Sequence, residues 1–482
     1  MWRRPSRLPK ATVDAPKLAR DGGASEGWQA CEARLKPCPR MFTQALWPNH
    51  EPADRTNRTR YHVISSIRGT RDILPAEVWR WQQVERVARA VCARYGYAEI
   101  RTPVIEREEL FAKGTGESTD IVQKEMYAFT DKGGDRIALR PEATPSMVRA
   151  FVEHSLEQAL PFAKLYCLGP MFRYERPQKG RYRQFHQLDV EVFCVTDPAV
   201  DGEVIEMASA FVAALGIEAA ELVVNSVGCK ACRPRFSAAL LEALGERLPE
   251  LCGDCQRRAR TNPLRIFDCK VPADQPIIDA LPHSVDYLCD ACRVHFDDVK
   301  GQLDAYGLLY RVSHRLVRGL DYYTRTTFEI LAAGLGTQNA LLGGGRYDHL
   351  VKQLGGPDRA GIGFAAGLER LVLALPEGAG DAKVADAFVV AIGAASWPAA
   401  RVLARDLRRA GLTALVDYDG HSSKSQMKRA NRSGARRMLI LGEDELARQQ
   451  VTIKEMETGH QHTVDRDKVV AELAKLRLES PE

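Results

Sequence analysis

The sequence predicts an α+β protein built on an antiparallel sheet, with a cysteine-rich, mostly helical insertion and a C-terminal α/β domain. Three observations indicate this fold class. Two strand patterns flank a basic loop near residue 180, as in an antiparallel hairpin. Seven of the 12 cysteines lie between Cys229 and Cys292. After residue 384, strand and helix patterns alternate, which favours a largely parallel sheet.

Length and composition limit the classes of protein that fit this chain. Its 482 residues suggest about three domains. No apolar run approaches the ~20 residues that a membrane helix needs, so we expect no membrane partner. The net charge of +5 excludes a simple polycation, and nucleic-acid binding would depend on local basic patches. Because no secretory segment precedes the cysteines, we expect a reducing cytoplasm.

We divide the chain into a leader, a main domain in two parts, an insertion and a last domain. The leader mixes Pro, Arg, Gly and Ala without apolar periodicity, which predicts disorder. A transit peptide and a true start at Met41 are alternatives. The boundaries are 1–60 for the leader, 61–227 and 311–378 for the main domain, 228–310 for the insertion and 384–482 for the last domain.

The first part of the main domain begins with a helix at Pro75. A strand follows around Pro103, and a proline inside a strand places it at a sheet edge or a bulge. A helix with Thr144 as N-cap and Pro145 as first residue comes next. The hairpin strands are expected at 164–175 and 184–194.

The second part and the last domain continue with regular elements. Thr326 to Ile330 predicts a strand, the glycine run at 343–345 a turn, and residues 361–370 a buried strand that enters an apolar helix. In the last domain we expect strands at 387–393, 413–419 and 437–442, with helices at 398–410 and 422–433.

The second hairpin strand carries polar residues at alternate positions. Period two places Gln187, Asp189 and Glu191 on one sheet face. The partner strand adds Arg173 and Glu175. Charges of both signs beside a basic loop suit a zwitterionic, phosphorylated ligand, and an ordinary half-solvated sheet is the alternative.

Two further segments offer polar groups among apolar residues. Arg318 precedes the pair Tyr322 and Tyr323, and these could equally be a salt-bridge residue and two core tyrosines. Arg370 lies in an apolar helix, where a charge is costly unless it is paired. It is either a snorkelling surface arginine or a phosphate clamp. The chain has neither G-x-G-x-x-G nor G-x-x-x-x-G-K-[ST], so ATP would not bind through a Rossmann or P-loop route.

Five segments form a set when they are taken in order. They are Arg68–Pro75, Leu139–Thr144, Phe172–His186, Leu316–Tyr323 and Gly361–Arg370. The set resembles bacterial histidyl-tRNA synthetases, which are class II aminoacyl-tRNA synthetases, and the resemblance covers residues 64–478. The Arg-Gly-Leu-Asp-Tyr-Tyr stretch is particular to the histidine enzymes and their paralogues.

The resemblance implies that the protein activates L-histidine with ATP and transfers it to tRNA(His), releasing AMP and pyrophosphate. Arg173 would bind the α-phosphate and Arg370 the γ-phosphate of a bent ATP, with Arg181 as a further contact. Arg318 would stabilise charge on the α-phosphate, a task that a metal ion shares in other class II enzymes. We therefore expect ATP as substrate and Mg²⁺ beside it.

The resemblance also implies a pocket for histidine. Glu142, Thr144 and Gln187 would hold the α-ammonium group. Glu191 and Tyr323 would bracket the imidazole, one at each ring nitrogen, and reject amino acids that leave these groups unpaired. Two further residues would line the pocket: Tyr322 and Tyr347.

The tRNA contacts implied by the resemblance lie in two places. Arg176, Gln178 and Arg183 on the hairpin loop would meet the acceptor end. The last domain resembles an anticodon-binding domain, and residues 424–437 contain six Lys/Arg and no acid. A solvated helix face is the usual alternative for such a run. The expected contacts there are Lys428 and Arg432.

The resemblance also implies a homodimer, because the strand around Pro103 matches the segment that forms the dimer interface of class II enzymes.

The cysteines of the insertion suggest a structural zinc site. The pairs Cys229/Cys232 and Cys252/Cys255 are 19 residues apart, within the spacing of four-cysteine zinc sites. The later pair at 289 and 292 could replace either of them. A reduced cluster of packing thiols is the alternative.

Two other functions compete with the ligase. The regulatory subunit of ATP phosphoribosyltransferase is a paralogue that binds histidine without charging tRNA and lacks the last domain. This chain keeps Arg173, Arg318 and Arg370 together with residues 384–482, which argues against it. A zinc-ribbon binding module would explain only the cysteine-rich segment.

Overall fold

The computed structural model describes residues 64–117, 119–158, 162–332, 339–376 and 385–478. The predicted leader over residues 1–60 lies outside them. Within these ranges, no helix combines the length and apolar character that crossing a membrane requires.

An eight-stranded sheet forms the centre of the main domain. In chain order, the strands of this domain are β1 (Ala98–Glu99), β2 (Ile105–Arg107), β3 (Tyr127–Thr130), β4 (Arg136–Leu139), β5 (Ala163–Phe172), β6 (Gln184–Phe193), β7 (Ala220–Ser226), β8 (Tyr310–Val312), β9 (Thr324–Ala332), β10 (Ala340–Arg346) and β11 (Gly361–Gly367). The large sheet has the order β1-β5-β6-β11-β10-β9-β7-β8, and only its edge strands β1 and β8 pair in parallel. The predicted hairpin is confirmed, since β5 and β6 pair antiparallel along their whole length.

Helices pack on both faces of this sheet, and three more belong to the insertion. In chain order the helices are α1 (Pro75–Arg94), α2 (Glu108–Thr115), α3 (Thr144–Glu153), α4 (Pro198–Ala214), α5 (Cys232–Leu244), α6 (Gly253–Thr261), α7 (Gln275–Asp279), α8 (Asp290–Ala305), α9 (Leu350–Gln353) and α10 (Leu368–Ala374). Leu188, Val190 and Val192 of β6 face the core formed with α1, α4 and α8. Phe193 faces the other side, where α3 packs. The expected period of two in β6 is therefore confirmed.

Two predicted boundaries are wrong. The strand expected around Pro103 is interrupted, because proline cannot donate a ladder hydrogen bond. Its pieces, β1 and β2, are edge strands of different sheets, β2 in a three-stranded sheet of order β2-β4-β3. Helix α3 has Ala143 as N-cap rather than Thr144. The Thr144 hydroxyl donates instead to Glu191.

The predicted turn at the glycine run is also wrong. Residues 343–345 lie inside β10, between β9 and β11. A Cβ on Gly344 would collide with the backbone of Gly363 in β11. Glycine is needed there because the backbones of β10 and β11 approach closely, and a close backbone approach is a common reason for glycine inside a strand.

The insertion is mostly helical, as expected. Helices α5, α6 and α7, with short 3₁₀ turns between them, surround a hydrophobic core of their own over residues 227–281. Helix α8 packs against α4 and contributes to the main core instead. The separately packed module is therefore shorter than the predicted segment 228–310.

The last domain has the predicted order of strands and helices. Its elements are β12 (Ala387–Ala391), α11 (Ser396–Arg409), β13 (Ala414–Val416), α12 (Ser423–Arg432), β14 (Arg437–Leu441), α13 (Glu443–Ala447), β15 (Gln450–Glu455), β16 (Gln461–Asp465) and α14 (Val469–Leu478). Strands β13, β12 and β14 are parallel, and β15 and β16 extend the sheet antiparallel.

A buried ion pair ties three elements of the main domain together. The Arg346 guanidinium, fully buried at the end of β10, donates to Asp201 of α4, with Nε 3.0 Å from Oδ1. Nε2 of His295 on α8 lies 2.9 Å from the same carboxylate. Although burial raises it, the contacts with His295 and Arg346 hold the pKa of Asp201 below its ordinary value. The pair fixes α4 and α8 against the strand that carries the glycine run.

Candidate active site

A cavity of about 550 Å³ opens over β6, β10 and β11. The structure brings together in its lining all the residues that were predicted for histidine and ATP. They are Glu142, Thr144, Arg173, Arg181, Gln187, Glu191, Arg318, Tyr322, Tyr323, Tyr347 and Arg370.

Glu142 is a buried carboxyl group at one end of the cavity. It accepts hydrogen bonds from Thr115 at 2.7 Å and from Tyr322 at 3.0 Å. Burial raises its pKa, although these hydrogen bonds and the Arg173 charge oppose the change. Each oxygen keeps lone pairs for a ligand's ammonium group. No local pattern indicates Thr115, which lies 27 residues before Glu142 at the end of α2.

Glu191 is the second buried carboxyl group. It accepts a hydrogen bond from Thr144 at 2.6 Å and another from the Tyr347 hydroxyl. Burial raises the pKa of Glu191 to about 8, with both hydrogen bonds opposing the shift. Tyr323 completes this end, and its ring lies 4.7 Å from that of Tyr322 between centroids. The end of the cavity therefore presents hydroxyl and carboxyl groups to a polar ring.

Gln187 and Asp189 occupy the same face of β6 but play different parts. The Oε1 atom of Gln187 is buried and has no hydrogen-bond partner among the described residues. It lines the cavity as an acceptor that a ligand's N–H group can use. Asp189 does not line the cavity. Burial and the neighbouring charge of Glu191 raise the pKa of Asp189 well above its ordinary value.

Three arginines converge at the opposite end. Arg173 and Arg370 each donate to a backbone carbonyl group at 2.8 Å, which fixes their orientation. Arg181 forms an ion pair with Glu175 at 2.9 Å. Burial and the charge of Arg181 lower the pKa of Arg370, which reflects the concentration of positive charge there. Such an end can hold a polyphosphate through charge-assisted hydrogen bonds.

Arg318 lies close to both ends. Its guanidinium donates to Glu329 and its Cζ lies 5.6 Å from the centroid of the Tyr323 ring. Burial lowers the pKa of Arg318, but Tyr323 and Glu329 outweigh this and raise it. The predicted cation is thus in place, while its partner Glu329 escaped prediction because it lies in a strand without a distinctive pattern.

Two glycines make room for these side chains. A Cβ on Gly343 would overlap the Arg318 guanidinium, and one on Gly363 would overlap the Glu191 carboxyl group. Gly343 lies in β10 and Gly363 in the adjacent strand β11, and both line the cavity. Glycine at these positions is a requirement of the site and not only of the sheet.

The residues predicted for tRNA do not line the cavity. Arg176 and Gln178 are exposed on the hairpin loop. Arg183 is half-buried, with its Cζ 3.9 Å from the centroid of the Tyr174 ring, which is a cation–π contact. The other two predicted residues are exposed on α12: Lys428 and Arg432.

The insertion contributes lining residues that sequence reasoning missed. Arg258, Arg265 and Lys270 all line the cavity. Arg265 forms an ion pair with Asp120 at 3.0 Å across 145 residues of sequence. No local pattern can indicate a contact over that separation.

The first predicted grouping of the cysteines is wrong, and the alternative in which the later pair replaces the pair at 252 and 255 is the one found. Cys229 and Cys232 come together with Cys289 and Cys292, not with the pair at 252 and 255. The reason is that Cys289 is the N-cap of α8, which the main core holds beside the end of β7. The other pair forms a separate group with two more side chains: Cys269 and Asp274.

Comparison with known families covers most of the chain. Residues 69–251 and 299–371 match the sequence model described as Histidyl-tRNA synthetase. Residues 386–476 match the model described as Anticodon binding domain.

Comparison with individual proteins gives the same result. The histidine–tRNA ligase of Moorella thermoacetica is 51% identical over 424 residues, 86% of this chain and 99% of that protein. The histidine–tRNA ligase of Syntrophotalea carbinolica is 49% identical over 401 residues, 83% of this chain and 96% of that protein. The crystal structure of apo S. aureus histidyl-tRNA synthetase matches with a TM-score of 0.72 and 37% identity, covering 86% of this chain and 100% of that one.

Glu191→Gln should stabilise the main domain more at high pH than at low pH. With a folded pKa of about 8 against 4.5 as the ordinary value, the wild type loses stability as pH rises through that interval. The glutamine does not titrate, so the free energy of unfolding of the variant minus that of the wild type should rise by at most about 5 kcal/mol. Urea unfolding at about pH 5 and pH 8.5 measures the difference. Glu109→Gln, at an exposed position, is the control, and equal differences at both pH values would contradict the burial of an ionisable Glu191.

Proposed function

This chain belongs to the histidyl-tRNA synthetase family, and we propose that its cavity activates L-histidine with ATP and transfers it to tRNA(His). The observation that carries the proposal is that one cavity has carboxyl and hydroxyl groups at one end and arginines at the other. A zwitterionic amino acid fits the first and a triphosphate the second. The regulatory paralogue is not favoured, because the ligases match this chain over nearly their whole length and a last domain of the anticodon-binding type is present.

Activation joins the histidine carboxylate to the α-phosphorus of ATP. A carboxylate oxygen attacks phosphorus, the bond to the pyrophosphate oxygen breaks, and histidyl-adenylate and pyrophosphate result. Arg173 holds the α-phosphate and Arg370 the γ-phosphate. Arg181 makes a further contact with the triphosphate. No side chain has to act as a nucleophile, so that positioning and electrostatic stabilisation carry the step.

Selection of histidine rests on the buried carboxyl end. Glu142, Thr144 and Gln187 hold the α-ammonium group, and the unpaired Gln187 acceptor supports this role. A neutral imidazole has one N–H donor and one acceptor nitrogen. Glu191 and Tyr323 satisfy these two atoms, and an apolar side chain in the same place would leave both protein groups unpaired at a large cost. Two rings close the pocket: Tyr322 and Tyr347.

Mg²⁺ accompanies ATP in this proposal. The carboxylates of Glu175 and Glu329 line the cavity and suit a hard cation that prefers oxygen ligands. When bound, the ion neutralises charge on the triphosphate. Arg318 supplies cationic charge at the α-phosphate from the protein itself.

Transfer needs the tRNA to reach the adenylate. The 3′-terminal ribose hydroxyl attacks the histidyl carbonyl carbon, and AMP leaves. Arg176, Gln178 and Arg183 guide the acceptor end from the hairpin loop. Lys428 and Arg432 are four residues apart on α12 and thus share one exposed face, which suits contact with the phosphates of the anticodon arm.

We place the reaction in the cytoplasm. Its substrates are ATP and tRNA, and none of the ten cysteines among the described residues forms a disulfide, which suits a reducing compartment.

Arg318→Ala should lower kcat for histidine-dependent pyrophosphate–ATP exchange about 10²–10³-fold, because the lost charge acts mainly in the transition state. KM for histidine should change much less. Wild-type exchange with each of the twenty amino acids should respond to L-histidine alone. Arg311→Ala is the matched control, since it removes an arginine paired with Glu221 at 2.6 Å on an exposed part of the same sheet. An unchanged kcat for Arg318→Ala would falsify its role.

The double variant Lys428→Ala/Arg432→Ala should weaken tRNA binding without affecting exchange. Each lost phosphate contact reduces the slope of log K against log salt by about 1. Aminoacylation measured from low to high salt gives this slope. Lys468→Ala, which changes an exposed lysine in the same domain, is the control. If the double variant charges tRNA like the wild type at every salt concentration, α12 does not contact the tRNA.

We propose a homodimer formed through the region of Pro103. Pro103 and Ile105 are exposed, and Pro103 lies between β1 and β2, each of which is an edge strand of its own sheet. Light scattering at micromolar concentration should give twice the chain mass, and Ile105→Lys should shift the mass towards that of one chain. Val312→Lys, at an exposed valine of β8, is the control. A monomer mass for the wild type would rule the dimer out.

A further inference from the structure

We propose that the insertion binds two structural zinc ions, one at a junction site and one at an inner site. The ligands of the junction site are Cys229, Cys232, Cys289 and Cys292. The ligands of the inner site are Cys252, Cys255, Cys269 and Asp274. In each group the four ligand atoms lie within 4.8 Å of one another.

The sulfur positions of the junction site match a tetrahedral shell. Sγ of Cys229 lies 3.6 Å from that of Cys232 and 3.9 Å from that of Cys289. A tetrahedral zinc ion with Zn–S bonds of about 2.3 Å holds its sulfur ligands about 3.8 Å apart. A disulfide would require about 2.05 Å and would use only two of the four thiols. The geometry therefore fits one ion shared by four thiolates.

The backbone at the junction site favours thiolates. The Cys289 N–H group donates to Sγ of Cys232 at 3.2 Å, as outer hydrogen bonds do for metal ligands. Gly228 has φ +68°, and a Cβ there would collide with the Cβ of Cys232. The glycine lets the chain turn sharply from β7 into the first cysteine pair.

The inner site combines a similar sulfur spacing with one carboxylate, which lies closer. Sγ of Cys252 lies 3.8 Å from that of Cys269, and Sγ of Cys269 lies 3.1 Å from Oδ2 of Asp274. Sγ of Cys269 also accepts from the Val271 N–H group at 3.4 Å. Three thiolates and a carboxylate are ligands that zinc accepts. Asp274 and Cys255 are buried, so that a shared cation would also compensate the buried charge.

The junction site lies beside the segment that carries Tyr323. Arg233 follows Cys232 directly, and its guanidinium donates to the carbonyl groups of Asp321 and Tyr323. An ion at the junction fixes the start of α5 and thereby this arginine. It also joins the first residues of the insertion to the start of α8, closing a loop of 60 residues between Cys229 and Cys289.

The inner site holds the residues that line the cavity from the insertion. Cys252 and Cys255 lie at the start of α6, and Cys269 follows the 3₁₀ turn after it. Arg258 and Arg265 lie between these ligands and face Asp120. A cation that ties the two ends of this stretch together limits the movement of both arginines.

Metal analysis of the full-length protein tests the proposal directly. Protein purified without chelators should contain about two equivalents of zinc per chain. Replacement of zinc by cobalt should give the absorption of tetrahedral cobalt–thiolate centres. Below about half an equivalent in folded protein, with all seven thiols open to alkylation, both sites are overturned.

Matched variants separate the two sites. Cys232→Ser and Cys292→Ser should each lower the content to about one equivalent, and so should Cys255→Ser and Asp274→Ala at the inner site. Cys194→Ser, at a half-buried thiol outside both groups, should retain two. If the variants of one site leave the zinc content unchanged, that site is refuted while the other stands. If a variant does not fold, the wild-type zinc and cobalt measurements still decide whether the ions are present.

Discussion

The burial of two carboxyl groups, one on β6 and one in the segment before α3, is the constraint on which the rest of the catalytic domain depends. Glu142 and Glu191 are both enclosed, and a buried carboxyl group is costly unless donors surround it. Their donors come from four separate segments, so that α2, α3, the loop before β9 and the end of β10 must all be in place before both groups are satisfied. These donors are Thr115, Thr144, Tyr322 and Tyr347.

The same sheet separates charge along the cavity. Carboxyl and hydroxyl groups gather over β6, while Arg173, Arg181 and Arg370 gather where the hairpin loop meets α10. An amino acid and a polyphosphate have opposite electrostatic needs, and one rigid surface serves both because its side chains project from paired strands of fixed register. Arg318 and its partner Glu329 lie at the meeting point of the two halves.

The sequence predicts correctly those features that depend on residues close together in the chain. The period of two in β6 placed Gln187 and Glu191 correctly, and the hairpin needed only two strand patterns and a polar loop. The glycine run was mistaken for a turn, since glycine permits both turns and close strand contact and only the partner strand distinguishes them. The cysteine groups and Arg265 depend on contacts between distant segments, which the docking of α8 and the fold of the insertion create.

The separately packed module of the insertion begins after β7, and the Ser284 hydroxyl at its far end donates to the Ser226 carbonyl group at 2.8 Å. Its entry and exit points are therefore adjacent, and the module between them has a hydrophobic core of its own. A chain with this connectivity can lengthen, shorten or exchange the module in evolution without changing the register of the catalytic strands. The organisation separates two parts of one polypeptide: the strand register of the sheet holds the cavity, whereas the module packs around its own core and can change independently of that register.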